Sequence, residues 1–353
     1  MSDASRLDVF ASPFRDARPA VAVVGAGAMG RALALRFDDQ GFPVQAVISR
    51  TRASAEALAR AVGAPMASDQ LADIPAGTPL VVLAVPDDQL PDLAEQLTGA
   101  LPSWRETVVM HTSGACPAAV LEALEAEGAH TLAFHPLQSV PAGASARALD
   151  GAYVGLEGAP RAVAAGIEVA TGLGLRYFVL SAEAKPRYHL AAAVASNFLA
   201  ALVAVALEIL SSLDVDRRDG LAMLRPLLQS TLDNVARTSP EDALTGPVVR
   251  GDLGTLRAHG LALREHLPHL LPVYGALSVE AVRVAVRSGR LAPEQAERLL
   301  ELVQRMLTTP LPPRRAGSRA SGSAAGEPSG IPGAIPGALQ DPGEALAGQA
   351  AQR

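Results

Sequence analysis

The sequence predicts an α/β chain in which a doubly wound, mostly parallel sheet is followed by an all-helical domain. Three observations carry that reading. From Arg18 onward, short apolar strands alternate with helices of about a dozen residues, the pattern of a parallel sheet covered on both faces. A glycine-rich turn joins the first strand to the first helix. From about Ser181 to Leu307 strand periodicity disappears while helical periodicity continues.

The first predicted strand is PAVAVVG, and AMGRALALRFDDQG is the helix after it, stopped at Gly41. VQAVIS, PLVVLAVP, TVVMHTSGA and HTLAFHP continue the strand series, with helices between them. AYVGLEG and RYFVL flank the helix PRAVAAGIEVATGLG and extend the same sheet. Five helices then start near Pro186, Asp216, Gly251, His269 and Ala292. Residues 1–17 are expected to be a disordered leader, 18–180 the sheet domain and 181–308 the helical domain. Residues 309–353 are expected to be a disordered tail, since 310–353 hold fifteen Pro or Gly and no aromatic residue.

Length and charge narrow the function. A chain of 353 residues suits about two domains. A net charge of -6 with 3% aromatics argues against a nucleic-acid binder. The single Cys116 excludes an internal disulfide framework and points to a reducing, cytoplasmic setting. The N-terminus lacks the apolar core of a secretory signal. Leu190 to Leu207 carries no charge and approaches the length of a short membrane span. Its Ser196, Asn197 and many alanines favour a helix buried at the centre of the helical domain, with no membrane role.

The glycine-rich turn is Gly25-Ala26-Gly27-Ala28-Met29-Gly30, the GxGxxG of a Rossmann-type dinucleotide site. Gly25 serves the tight turn, Gly27 the approach of a pyrophosphate to the helix N-terminus, and Gly30 close helix–strand packing. At the end of the second strand stand Ser49 and Arg50, with no acid to take a ribose 2′-hydroxyl. Hydroxyl and guanidinium groups suit a 2′-phosphate, so NADP (NADPH) is the expected cofactor. Val85, Pro86 and Thr112 lie at further strand ends bordering the cofactor crevice, and no metal site is expected.

Lys185 is the only lysine among the 30 Lys and Arg residues, and Asn197 is one of two asparagines. A desolvated lysine can exchange a proton where arginine cannot. Lys185 precedes a helix on which His189 and Ser196 share a face with Asn197 at its edge. Lys185 or His189 is therefore the candidate proton donor, with Asn197 and Ser113 to orient a substrate. Arg250, in a Thr-Gly-Pro-rich loop before Asp252, is a candidate partner for a substrate carboxylate. His111 reads either as a crevice residue or as a structural strand-end histidine.

Together, VAVVGAGAMG, the SR pair, LAVPDD, HTSGA, FHPLQS, KPRYHLAAAVASNFLAAL and ALTGPVVRGDLGTLRAH resemble one bacterial family. Its members join a Rossmann-like domain to a C-terminal domain of unknown function, numbered twenty-five-twenty. The architecture is similar to that of pyrroline-5-carboxylate reductases, 3-hydroxyacid dehydrogenases and ketopantoate reductases. That resemblance implies a helical domain like the C-terminal domain of 6-phosphogluconate dehydrogenase, and a homodimer built on it. It also implies Lys185 at the position of a substrate lysine, although His189 and Pro186 depart from the dehydrogenase pattern. FHPLQS is faintly similar to a His-Pro stretch of prephenate dehydrogenases, which makes His135 a rival catalytic residue. The expected function is an NADP-dependent oxidoreductase acting on a C=O or C=N group of a small anionic metabolite. The alternatives are a non-catalytic NADP-binding sensor or scaffold, and a prephenate-dehydrogenase-like enzyme using His135.

Overall fold

The computed structural model describes residues 13–14 and 18–308. The expected tail lies outside the described residues, as does most of the leader, but Phe14 packs against the core. The chain divides into two compact units, residues 1–230 and 231–353.

In the first unit, eight strands form one sheet in the order β3-β2-β1-β4-β5-β6-β7-β8. They are β1 (Val21–Val24), β2 (Val44–Ile48), β3 (Met66–Ser68), β4 (Leu80–Leu83), β5 (Val108–His111), β6 (His130–Leu137), β7 (Tyr153–Gly158) and β8 (Arg176–Val179). β1 to β6 run parallel; β7 pairs antiparallel with β6, and β8 follows β7. The edge strand β3 escaped the sequence pattern because MAS is three residues long and has no apolar alternation.

Alternation along the strands feeds two cores. Val21 and Val23 of β1, Leu80 and Val82 of β4, and Val108 and Met110 of β5 face one side. There they meet α1 (Ala28–Asp39), α2 (Arg52–Val62) and α5 (Pro160–Gly172). Ala22, Val24, Val81, Leu83 and Val109 face the other. They meet α3 (Leu90–Thr98), Trp104 and α4 (Glu122–Ala126) with the turn before it. His111 falls where β5 alternation asks for an apolar residue on this second face, and it is 0% exposed.

After β8 the chain enters α6 (Lys185–Ala193), a π turn (Val194–Phe198) and α7 (Leu199–Ser211), one continuous rod that stays with the sheet unit. The sequence placed this apolar rod at a buried centre, but the structure leaves it largely uncovered. Leu190, Val194, Phe198 and Leu202, spaced four residues apart, are exposed, as are Ile209 and Leu213. By length and composition Ala182–Ser211, with mean hydropathy 2.3, could cross a membrane, as could Pro268–Arg287. α8 (Arg217–Arg237) spans the division between the units.

The second unit holds α9 (Pro240–Ala243), α10 (Leu253–His266), α11 (Leu271–Arg287) and α12 (Pro293–Thr308). Leu256, Val282, Leu291, Leu299 and Val303 form its core. Asp252 is the N-cap of α10, accepting from the Thr255 backbone N–H at 3.0 Å and from its hydroxyl at 2.6 Å. That capping role accounts for Asp252 within its unusual loop.

Candidate active site

The glycine-rich turn is built as its spacing requires. Gly25 has φ +107°, a conformation that side chains resist, and a Cβ there would strike the Ala84 carbonyl. A Cβ on Gly30 would strike the Gly25 carbonyl, so α1 can approach β1 only with glycine at that position. Gly27 differs: no atom lies within 4 Å of where its Cβ would stand. Ala28 and Met29 form the first turn of α1 beside that open space. A cleft of about 530 Å³ opens here, lined among others by Gly25, Gly27, Ser49, Arg50, Val85 and Pro86. Two carboxylates, Asp69 and Asp92, share the lining. Thr112 does not line it; its N–H ties β5 to the Leu83 carbonyl at 3.1 Å. Arg52 is held in an ion pair with Glu56 at 3.2 Å, whereas Arg50 is exposed at the cleft.

Further along the same carboxyl edge of the sheet, the loop after β5 is fixed by its own polar groups. Ser113 Oγ accepts from the N–H groups of Ala115 and Cys116, at 3.2 and 2.9 Å. Its hydroxyl is thus engaged in the turn, and Ser113 lines neither cavity. The Ser113 N–H donates to His111 Nδ1, which leaves His111 Nε2 to donate to the Pro117 carbonyl, both at 3.2 Å. Burial, with the Lys185 charge second, lowers the His111 pKa to about 3. His111 is therefore a neutral structural pin for this loop.

Lys185, 1% exposed, donates from Nζ to the Ser113 carbonyl at 3.2 Å. It ties the start of α6 to the β5 loop and lines neither cavity. Burial lowers its pKa, opposed by the negative charge of Glu157.

A second cavity, about 780 Å³, lies against α6 and the π turn. His135, Tyr188, His189, Ser196 and Asn197 contribute its polar lining. The π turn carries the last two, and such turns recur at functional sites. Tyr188 is seated by the antiparallel β6–β7 pairing. Gly155 stands opposite His135, and its missing side chain admits the Tyr188 ring, which also packs edge-on against Phe178 at 5.3 Å. The Tyr188 hydroxyl lies 2.6 Å from His135 Nδ1 and 3.4 Å from the His135 carbonyl. Burial pushes the Tyr188 pKa up to about 12, so this hydroxyl keeps its proton. Burial first, then the charges of Lys185 and His189, lower His135 to about 4. The imidazole is neutral at physiological pH. Nδ1 pairs with the Tyr188 hydroxyl, and Nε2 is the ring nitrogen that reaches Gly114.

His135 Nε2 and His189 Nδ1 both crowd Gly114, where a Cβ would collide with them. His189 Nδ1 is buried with no hydrogen-bond partner. The structure thus gathers His189, Ser196 and Asn197 with His135, as the helical spacing and the His-Pro stretch suggested separately. It adds Tyr188, whose only sequence signal was its place between Lys185 and His189. Arg250 belongs to the second unit.

Fold and cleft together define a Rossmann-type protein of the NAD(P)-binding class, followed by a helical domain. A model for a Rossmann-like domain matches residues 7–136, and one for a domain of unknown function, DUF2520, matches residues 152–281. The chain is a Rossmann-like protein carrying a DUF2520 domain. Among solved structures, it is similar to BF3122 of Bacteroides fragilis, described as a candidate NADP oxidoreductase. The two are 24% identical with a TM-score of 0.64, covering 76% of this chain and 99% of that one. A reductive aminase of Aspergillus terreus, solved with NADPH and ethyl levulinate, is 21% identical with a TM-score of 0.50, over 82% and 93% of the chains. A pyrroline-5-carboxylate reductase of Coxiella burnetii is 14% identical with a TM-score of 0.50, over 80% and 98%. At these identities the likeness is one of fold. No curated protein matches the chain.

Proposed function

We propose that the protein is an NADP-dependent oxidoreductase that reduces a C=O or C=N group. The observation that carries this reading is the second cavity. His135 and His189 line it side by side, His135 paired with Tyr188 and His189 with an unpartnered Nδ1, on the same sheet edge as a cleft suited to a dinucleotide. The open space at Gly27 would take the pyrophosphate, and Ser49 with Arg50 the 2′-phosphate. A bound nicotinamide supplies the hydride. His135 Nε2–H donates a hydrogen bond to the substrate heteroatom, as a neutral imidazole can polarise a carbonyl. A proton drawn from solvent and relayed through His189 completes the alcohol or amine. Ser196 and Asn197 orient the substrate, while Lys185 and Ser113 hold the β5 loop in place.

Cofactor choice provides the test. NADPH should bind at least about tenfold tighter than NADH, on the order of 1.4 kcal/mol. Arg50→Asp should erase that preference while the melting temperature stays unchanged. Equal dissociation constants for the two in the unaltered protein, read by fluorescence titration, would overturn the NADP assignment.

The exposed row Leu190, Val194, Phe198 and Leu202 also calls for a cover. We propose that a second copy supplies it, forming a homodimer on α6 and α7. Light scattering at micromolar concentration should then give twice the 36.3 kDa chain mass. A monomer, or a protein that partitions entirely with membranes, would refute the dimer.

A further inference from the structure

Resting on the reductase reading, we propose that the cavity against α6 takes an uncharged aldehyde or ketone with an apolar body, and discriminates against carboxylates. Charged residues make up 19% of the chain, yet none is among the fourteen residues lining this cavity. Its wall is Leu137, Leu199 and a run of alanines from α6 and the π turn. Its polar groups are all neutral types: the amides of Gln138 and Asn197, the hydroxyls of Ser139, Tyr188 and Ser196, and the two imidazoles.

Sites that select carboxylates usually supply a guanidinium in a fixed fork. This chain is rich in arginine, yet among the described residues none lines this cavity. Arg187, next to Tyr188, is exposed and outside the lining. The Lys185 ammonium lies buried behind the Ser113 carbonyl and outside the lining. A carboxylate entering the cavity would lie against the alanine wall without meeting a fixed cation among the described lining residues. A carbonyl compound would lose little, since the donors can hydrogen-bond its oxygen and the alanine wall can cover its chain.

A matched pair separates the two chemistries. 2-Hexanone and 5-oxohexanoate carry the same ketone, one with an apolar end and one with a carboxylate. Each is titrated against the full chain saturated with NADP⁺, followed by ligand-observed NMR, and each is assayed separately for NADPH oxidation. The expected result is at least tenfold tighter binding of 2-hexanone. Ala192→Phe, which fills the cavity from α6, should weaken 2-hexanone at least tenfold and leave the NADPH dissociation constant unchanged. Equal or tighter binding of 5-oxohexanoate, no binding of either, or an Ala192→Phe protein that binds 2-hexanone normally would overturn the proposal. Preferred binding of 2-hexanone without NADPH oxidation would support the ligand class and count against the reductase reading. Oxidation driven by 5-oxohexanoate alone would do the reverse.

Discussion

Lowering the pH from 7.5 to 5 should cost this protein about 4 kcal/mol of stability through His111 and His135, half of it through His111. The His111 pKa falls from an ordinary 6.5 to about 3 on folding, and that of His135 falls to about 4. A base whose pKa is lowered by folding leaves the unfolded chain holding more protons between the two values. Stability is therefore full above about pH 6.5 and declines as pH falls toward the folded values. At pH 5 each histidine accounts for about 2 kcal/mol. Urea midpoints at the two pH values should show the loss, and His111→Gln should recover roughly half of it. If the variant cannot fold, the His111 ring shifts of the unaltered protein decide the matter by NMR. A His111 that protonates near pH 6.5 in the native state, or a variant whose acid loss equals that of the original, would defeat the prediction.

The contrast between His111 and His135 shows where sequence reasoning stops. Strand–helix alternation located the sheet, and GxGxxG located the cleft, because both are local patterns with a fixed period or spacing. His111 was ambiguous because its role depends on the loop that folds back over it, which supplies the Ser113 N–H and the Pro117 carbonyl. Lys185 stands out as the only lysine, but no pattern announces that it is 1% exposed and bonded to the β5 loop. The uncovered face of α6 and α7 was misjudged because an apolar run reads the same whether its own chain or another partner covers it. Tyr188 was missed because its contact with His135 is created by an antiparallel turn of the sheet at β6–β7, 53 residues from one partner to the other. No periodicity within α6 could announce it.

His135→Phe should lower turnover of the proposed reduction by about 10²-fold or more while leaving NADPH binding intact. The size follows from what the ring supplies. A neutral imidazole aimed by its neighbour donates one preorganised hydrogen bond to the heteroatom as charge develops on it. His135→Gln, whose amide N–H reaches a similar point, should retain more activity than Phe. Tyr188→Phe removes the hydroxyl at 2.6 Å that fixes the tautomer, so its loss should fall between the two and appear in kcat rather than KM. Because His135 titrates near 4, no acid limb near pH 6.5 in the rate profile should belong to it. The arrangement can be checked before a substrate is in hand. In ¹⁵N NMR at pH 7.5, His135 should be neutral and protonated on Nε2, and Tyr188→Phe should release it to a mixture of tautomers. A ring protonated on Nδ1 would mean that the imidazole donates to Tyr188 and turns its bare nitrogen toward the cavity. It would then have no proton to offer, and unchanged turnover in His135→Phe would be the matching kinetic result.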